Sequence, residues 1–358
     1  MHVLDQQSVT HAVLGGALLG GGGGGRVKDG RELGMLAVQA GMPRLVSLDE
    51  LPDDGTIVTV SAVGAPAAKD QFMTPMQYTR AVQIFKERVG RIDGLISCEN
   101  GGLATVNGWF QAAVLGIPVV DAPANGRAHP IGLMGSMGLH RDPDYLSSQA
   151  ACGGDPQAGR YVELSVTASL PEAARIVRQA SIAAGGLIGV ARNPVSVAYA
   201  RQNAAAGAIS LAIELGRILD QAPAGIAAAE RAAERLGGSV LLPEASVKSV
   251  SLETVGGFDV GAVELTDRNG SYELTFWNEY MTLERGGERL GTFPDLLATI
   301  DLETRVPIPS ADITEGMQVA LLHVPGGKIP LGGGMRDPDL YRQVEEVLKK
   351  DIRNYITV

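Results

Sequence analysis

DGLISCENGGLATVNGWFQAAVLGIPVVDAPANGRAHP, residues 93–130, decides how this chain is read. It parses as strand, loop, helix, strand, loop. Asp93 to Cys98 is short and apolar in its middle, the pattern of a buried strand. It runs into Glu99-Asn100-Gly101-Gly102. Phe110, Ala113, Val114 and Leu115 fit a short helix. A second buried strand, Ile117 to Val120, ends on Asp121, and a loop with Asn125, Gly126, Arg127 and His129 follows. Two consecutive parallel strands deliver Glu99 and Asp121 to one sheet edge, the carboxyl-end edge where open α/β sheets bind ligands.

Working outward, residues 44–121 alternate strand and helix, which predicts a parallel sheet covered on both faces. Strands are expected at 44–48 and 56–63. Thr74-Pro75 opens a helix to about Val89, with Thr74 as cap and Pro75 in the first turn. Toward the N-terminus a helix is expected at 5–19, then six glycines, Gly20 to Gly25, then a helix from Arg31 to Gln39. A glycine run before a helix can turn several N–H groups toward an anion or a thiocarbonyl sulfur. It carries neither a dinucleotide fingerprint nor a phosphate-loop Gly-Lys-Ser/Thr ending; the alternative is a flexible linker. Residues 131–160 read as an irregular lid or packed connection. Beyond them come a strand at 160–168, a helix at 171–184, a strand or turn at 185–190, a long helix at 195–219 and another at 224–236. From Gly238 to Val324 alternating runs take over, with Asn269-Gly270 a strong hairpin signal. A last helix is expected at 338–351. The expected fold is α/β: a parallel-sheet N-terminal domain (1–165) and a second domain (166–358) made of a helical connection and a β-rich part.

The chain has 358 residues, 45% hydrophobic and 20% charged, with a net charge of −10. That length suits two domains. The acidic balance, with no long basic run, argues against nucleic acid and anionic membrane surfaces as partners. No apolar run reaches the ~18 residues a membrane span needs. The two cysteines, Cys98 and Cys152, have no zinc-type spacing and make no disulfide framework, so a cytoplasmic protein is expected.

Glu99 and Asp121 are the candidate general bases; each is equally compatible with capping a helix. Arg127 is placed to clamp a carboxylate or to stabilise developing negative charge. His129 is a candidate acid, base or ligand, against the simpler reading of a satisfied loop histidine. Gly22, Gly23, Gly24 and Gly25, with Asn100 and Gly101, are candidate substrate-binding backbone. Arg192 and Arg201 are cations available for a substrate carboxylate, or merely a solvated helix face. Glu279, in Trp277-Asn278-Glu279, ends a strand of the second domain within possible reach of the first domain's edge. Cys98 is a candidate nucleophile, against the simpler reading of a small core residue at the end of a buried strand. No cofactor is required by these residues; a single divalent metal held by Glu99, Asp121 and His129 is left open.

The chain resembles the S-methyl thiohydantoin desulfurase family, long filed as a hydantoinase-associated domain of unknown function. The resemblance rests on LLGGGGGGR at 18–26, ENGG at 99–102, GIPVVDA at 116–122 and NGRAHP at 125–130. It continues through GGLIGVARNPVSVAYARQNAAAGAISLAIELGRIL at 185–219, WNEYM at 277–281, FPDLLATIDLETRVPI at 293–308 and EGMQVALLHVP at 315–325. The chain departs from the family's usual pattern at Pro123 and Ile131, where acids are usual, and at His129, where Phe is usual. The resemblance implies a two-domain fold and action on a cyclic ureide or thioureide: hydrolytic desulfuration of a 2-thiohydantoin, with hydrogen sulfide and a hydantoin as products. Hydrolysis of an oxo ring, or a non-catalytic ring-binding subunit of a hydantoinase-type complex, are the alternatives. A homo-oligomer is expected.

Overall fold

The structure is a computed structural model that describes residues 2–64, 68–223 and 225–356. In chain order the first part runs β1 (His2–Val3), α1 (Gln6–Gly20), α2 (Val27–Ala40), β2 (Arg44–Val46), β3 (Thr56–Gly64), α3 (Pro75–Val89), β4 (Gly94–Ser97), α4 (Trp109–Leu115), β5 (Val119–Val120), β6 (Leu146–Gly153), β7 (Val162–Ser169), α5 (Leu170–Ala183), β8 (Leu187–Ser196), α6 (Val197–Asn203), α7 (Ala208–Gln221) and α8 (Ala227–Leu236). The second part runs β9 (Ser239–Val255), β10 (Phe258–Asp267), β11 (Gly270–Trp277), β12 (Glu279–Arg285), β13 (Glu288–Thr292), β14 (Leu296–Asp301), β15 (Gln318–Val324) and α9 (Tyr341–Leu348).

Two sheets organise these elements. The first has eight strands in the order β1-β2-β5-β4-β3-β8-β6-β7. Its β2-β5-β4-β3 block is parallel, as the alternating pattern predicts. The sheet as a whole is mixed, because β8 joins β3 antiparallel and β6 and β7 continue antiparallel beyond it. The segment read as irregular, 131–160, therefore contains a strand. The residue-165 position lies inside β7, and the later β8 inserts between β3 and β6. The second sheet has seven antiparallel strands, β13-β12-β11-β10-β9-β15-β14. Asn269-Gly270 turns β10 into β11, with Asp267 opposite Gly270.

Local chemistry sets the boundaries. Thr74 and Gln77 form a capping box at the start of α3, with Pro75 in its first turn. The helix expected over 195–219 is broken into α6 and α7. Its first residues belong to β8, and at the break the amides of Ala205 and Gly207 donate to Pro123 O and Asp121 O at 2.8 Å. Bonds to the end of β5 thus replace the intrahelical bonds that a continuous helix would need.

Helix α1 explains how the two parts meet. It is apolar nearly all round, the signature of a helix with no solvent face. Val9 and Val13 pack with α2 and α4 residues in one core, while Leu18 and Leu19 pack with Leu296, Phe293 and Met281 of the second part. It lies so close to α7 that a Cβ on Gly15 would stand 1.8 Å from Ala212 O, and one on Gly216 1.8 Å from His11 O. Only glycine permits that backbone-to-backbone approach. The end of α1 and the glycine run behind it are thereby pinned between the two sheets. Among the described residues, no helix is long and apolar enough to cross a membrane.

Candidate active site

A cavity of about 380 Å³ opens where the end of β4 faces the start of β12. Cys98, Glu99, His129, Arg192, Asn278 and Glu279 line it. The sheet builds one wall. Cys98 N donates to Val60 O at 3.1 Å, and Cys98 O accepts from Asn125 N at 3.0 Å. These bonds carry the β4 backbone past Ser97 and tie it to the loop that holds His129. Arg192 sits in β8, paired with Thr59 of β3 and Gln149 of β6. From there its Nη2 donates to Cys98 Sγ at 3.0 Å.

His129 closes the group. Its backbone N–H donates to Glu99 Oε2 at 3.2 Å. Its ring Nε2 lies 3.3 Å from that same oxygen and 3.6 Å from Cys98 Sγ. Gly135 covers the pair: a Cβ there would fall 2.5 Å from His129 Nε2 and 2.6 Å from Cys98 Sγ. Burial pushes the Glu99 carboxyl up to about 7, against the pull of His129, with the nearby Cys98 adding to the rise. Burial likewise lowers the His129 imidazole, opposed by Glu99 and reinforced by Arg192. A carboxyl near neutrality beside an imidazole disfavoured in its charged form can exchange protons at physiological pH.

The opposite wall belongs to the second part. Asn278 has φ 55°, a left-handed conformation that asparagine tolerates better than most residues. Its amide donates to Asp259 O at 2.7 Å and its side chain accepts from Asp259 N at 2.9 Å. That bend turns Glu279 inward, where it is 2% exposed with Oε2 lacking a hydrogen-bond partner. Burial holds Glu279 well above the ordinary carboxylate range, Glu99 adds to this, and Arg127 opposes it.

The glycine run is the seam between the walls. A Cβ on Gly23 would come 2.0 Å from Glu279 Oε1, one on Gly22 2.9 Å from the Tyr280 ring, and one on Gly24 2.5 Å from Gly101 Cα. Gly21 O and Gly22 O accept from Tyr280 N at 2.7 Å and Ser310 N at 2.8 Å, and Gly24 O accepts from Leu103 N at 3.0 Å. Gly24 and Gly25 line the cavity; Gly22 and Gly23 serve close approach.

Of the residues expected to form a site, the fold brings together Glu99, His129, Arg192 and Glu279. Arg127 stands behind them, fully buried. It donates to Pro294 O at 3.0 Å, Ala128 O at 3.2 Å and Asp295 O, and stacks 4.5 Å from the Phe293 ring centroid. Burial lowers this guanidinium to about 10. Asp121 is directed elsewhere. Its carboxylate accepts from Ile209 N at 2.8 Å, Ser210 N at 3.1 Å and the Ser210 hydroxyl, the first turn of α7, so it caps that helix. Arg201 is exposed and paired with Asp53 at 2.7 Å and Asp49 at 3.4 Å. Asn100 is internal scaffolding, donating to Ala208 O at 2.9 Å and Gly126 O at 3.2 Å.

Arg178 is a cavity residue that the sequence reading does not single out, and Cys98 is one that it weighs as a nucleophile and favours as core. Cys98 carried a signal, because it ends a parallel strand at a carboxyl edge. Arg178 carried none. It sits in α5 and reaches the cavity by stacking 4.2 Å from the Phe258 ring centroid and donating to Gly257 O at 3.0 Å. Burial lowers its guanidinium to about 10.

The fold is similar to that of a crystallised protein from Chromobacterium violaceum, with a TM-score of 0.73 at 20% identity over 96% of this chain and 97% of that one. No curated protein matches the chain. Two family profiles do, with nearly the whole length between them: the S-Me-THD-like N-terminal domain over residues 7–155 and the S-Me-THD-like C-terminal domain over 169–329. With its two matched domains facing each other across one cavity, the chain belongs to the S-Me-THD-like family.

Proposed function

We propose that the protein is a hydrolytic desulfurase that replaces the sulfur on C2 of a 2-thiohydantoin-type ring by oxygen. The observation that carries this reading is the convergence of Glu99, His129, Cys98 and Arg192 on one wall of a cavity sized for a small molecule. The family, whose name refers to S-methyl-thiohydantoin, supplies the substrate class.

The reaction needs a water oxygen to add to C2 while the C=S π pair moves onto sulfur. The proton lost by the water goes to the carboxylates facing the cavity, Glu99 and Glu279, whose raised affinity for protons suits them to hold it. Negative charge grows on the ring sulfur, and the Arg192 guanidinium and His129 imidazole stand on the wall that faces it. Collapse of the tetrahedral adduct breaks C–S. The carboxyl that took the water's proton passes it to the sulfur, hydrosulfide departs, and the remaining hydroxyl proton returns to that carboxylate as C2=O forms. In an S-methylated ring, where C2=N replaces C2=S, the π pair would move onto the ring nitrogen and collapse would expel the sulfur, with one proton, as methanethiol. The guanidiniums of Arg178 and Arg192 also favour a ring with an anionic side chain such as propionate.

The test is sulfide release, read by methylene blue, from a 2-thiohydantoin carrying a propionate. Wild-type protein is expected to release sulfide, and Glu99→Gln to release it at least about 100-fold more slowly. Release unchanged in Glu99→Gln would remove that residue from the reaction. No release by wild type would move the assignment to an oxo-ring hydrolase or a ring-binding subunit.

A further inference from the structure

We propose that Cys98, Glu99 and His129 form a binding site for one thiophilic divalent cation of the zinc class. Among the described residues they are the one group of three such side chains with their ligand atoms mutually within 4.8 Å.

The geometry argues for a common centre rather than a hydrogen-bonded triad. In a Cys-His-acid relay the acid holds one imidazole nitrogen and the sulfur faces the other. Here sulfur and carboxylate both face Nε2, at 3.6 and 3.3 Å, while Nδ1 is turned away. One nitrogen carries at most one proton and cannot serve both in a relay. Three donor atoms mutually within 4.8 Å can instead share one ion. With Zn–S about 2.3 Å and Zn–N and Zn–O about 2.05 Å, tetrahedral angles put nitrogen and oxygen about 3.3 Å apart and sulfur and nitrogen about 3.6 Å apart. The two measured edges, 3.3 and 3.6 Å, agree. The ligands line the cavity, which leaves the fourth position to water or a soft sulfur donor.

Electrostatics permits the ion despite Arg192 at 3.0 Å from Sγ. A dication with one thiolate and one carboxylate is a neutral cluster, and a metal-bound thiolate still accepts an N–H bond that holds it in place. Gly135 keeps the space beside Nε2 and Sγ free of any side chain. The acid in this set is Glu99 and not Asp121, which is committed to α7. In this arrangement Glu279 alone accepts the water's proton.

The inference can be read without substrate, so its failure is separable from failure of the desulfurase reading. Full-length protein is stripped with a chelator, dialysed and titrated with cobalt(II) as an optical stand-in for zinc. The expected result is one equivalent bound, with tetrahedral visible bands and a near-ultraviolet thiolate-to-cobalt band. That band should vanish in Cys98→Ser and persist in Cys152→Ala. Zinc at 100 times its Kd should also raise the midpoint of unfolding of the wild type, since binding only the folded state shifts the folded-to-unfolded ratio about 100-fold. No cobalt binding, binding without the thiolate band, or a band lost in Cys152→Ala overturns the proposal. If Cys98→Ser does not fold, the Cys152→Ala result decides by elimination, since the chain has 2 cysteines.

Discussion

Replacing Gly23 by alanine tests whether the glycine run exists to seat Glu279. The added carbon would stand 2.0 Å from Glu279 Oε1, 2.6 Å from its Cδ and 2.7 Å from its Cγ. Ordinary heavy-atom contact begins near 3.5 Å, so the carboxyl group must retreat by more than about 1 Å. Glu279 is 2% exposed, and retreat means repacking. Gly23 does not lie at positive φ, so alanine is free to adopt its backbone and the effect is purely steric. Overpacking of this kind costs about 1–3 kcal/mol. Displacement of a reacting group by about 1 Å costs about 100-fold in kcat/KM. Urea unfolding measures the first and sulfide release the second. Glu279→Asp, one methylene shorter, relieves the clash, so the double variant should be more stable than the two single changes predict, by about 0.5–3 kcal/mol. Gly20→Ala is the milder comparison: its Cβ would meet Gly101 Cα at 3.3 Å, a tight contact but no overlap, and it should cost less than Gly23→Ala. A Gly23→Ala protein within about 0.5 kcal/mol of wild type and with wild-type kcat/KM would refute the reasoning.

Other changes separate scaffold from chemistry. Gly15→Ala, whose Cβ would lie 1.8 Å from a backbone oxygen of α7 that cannot swing aside, should lose about 3 kcal/mol in urea unfolding. Asp121→Ala should cost about 1–2 kcal/mol through the lost cap of α7 while kcat per folded molecule stays within about twofold, the opposite of what a catalytic base would show. For Glu99 the pH sign is fixed by its upward displacement from 4.5 to about 7. The folded protein binds the proton more tightly than the unfolded chain, so this group stabilises fully below about 4.5 and its contribution is lost as pH rises through about 7. In chelator-treated protein, the stability of Glu99→Gln relative to wild type should therefore climb between about pH 5 and about pH 8; a flat or falling difference counts against a carboxyl whose proton affinity is raised by burial.

How much of this was legible from the residues depends on how far each signal reached. The parallel block is written in the short apolar runs around Ile96 and Val120. The second sheet is written in alternation and in Asn269-Gly270. Both are local patterns, and the structure contains both. The antiparallel insertion of β8 is not local. Nothing in residues 187–196 states that they will pair with β3, 123 or more residues earlier, rather than with a later strand. The helix over 195–219 was misread because propensity favours continuity across Ala204–Gly207, while tertiary bonds to Pro123 and Asp121 break it.

The site divides along the same line. Glu99 is visible because it sits just beyond a strand that its own sequence predicts, and His129 because it stands in the loop that follows the next one. Cys98 reads as core because a cysteine that ends a buried strand is usually a small packed residue. Strand alternation would likewise send it and the neighbouring Glu99 to opposite faces. That alternation holds only while the strand is regular, and β4 ends at Ser97. Past that point the backbone follows Val60 on one side and Asn125 on the other, and two neighbouring residues can present their side chains to one cavity. Strand ends are thus where period-2 reasoning gives the wrong face, and they are also where parallel sheets carry their chemistry. The converse case is Asp121, one residue past β5 and equally placed by the pattern, for which the capping alternative describes the contacts. There the nearest unsatisfied donors are the first amides of α7, and a carboxylate takes the donors within reach before it waits for a ligand. Which of two strand-end acids is left facing a cavity depends on whether a helix begins beside it, and that neighbour, α7, lies almost ninety residues further along the chain.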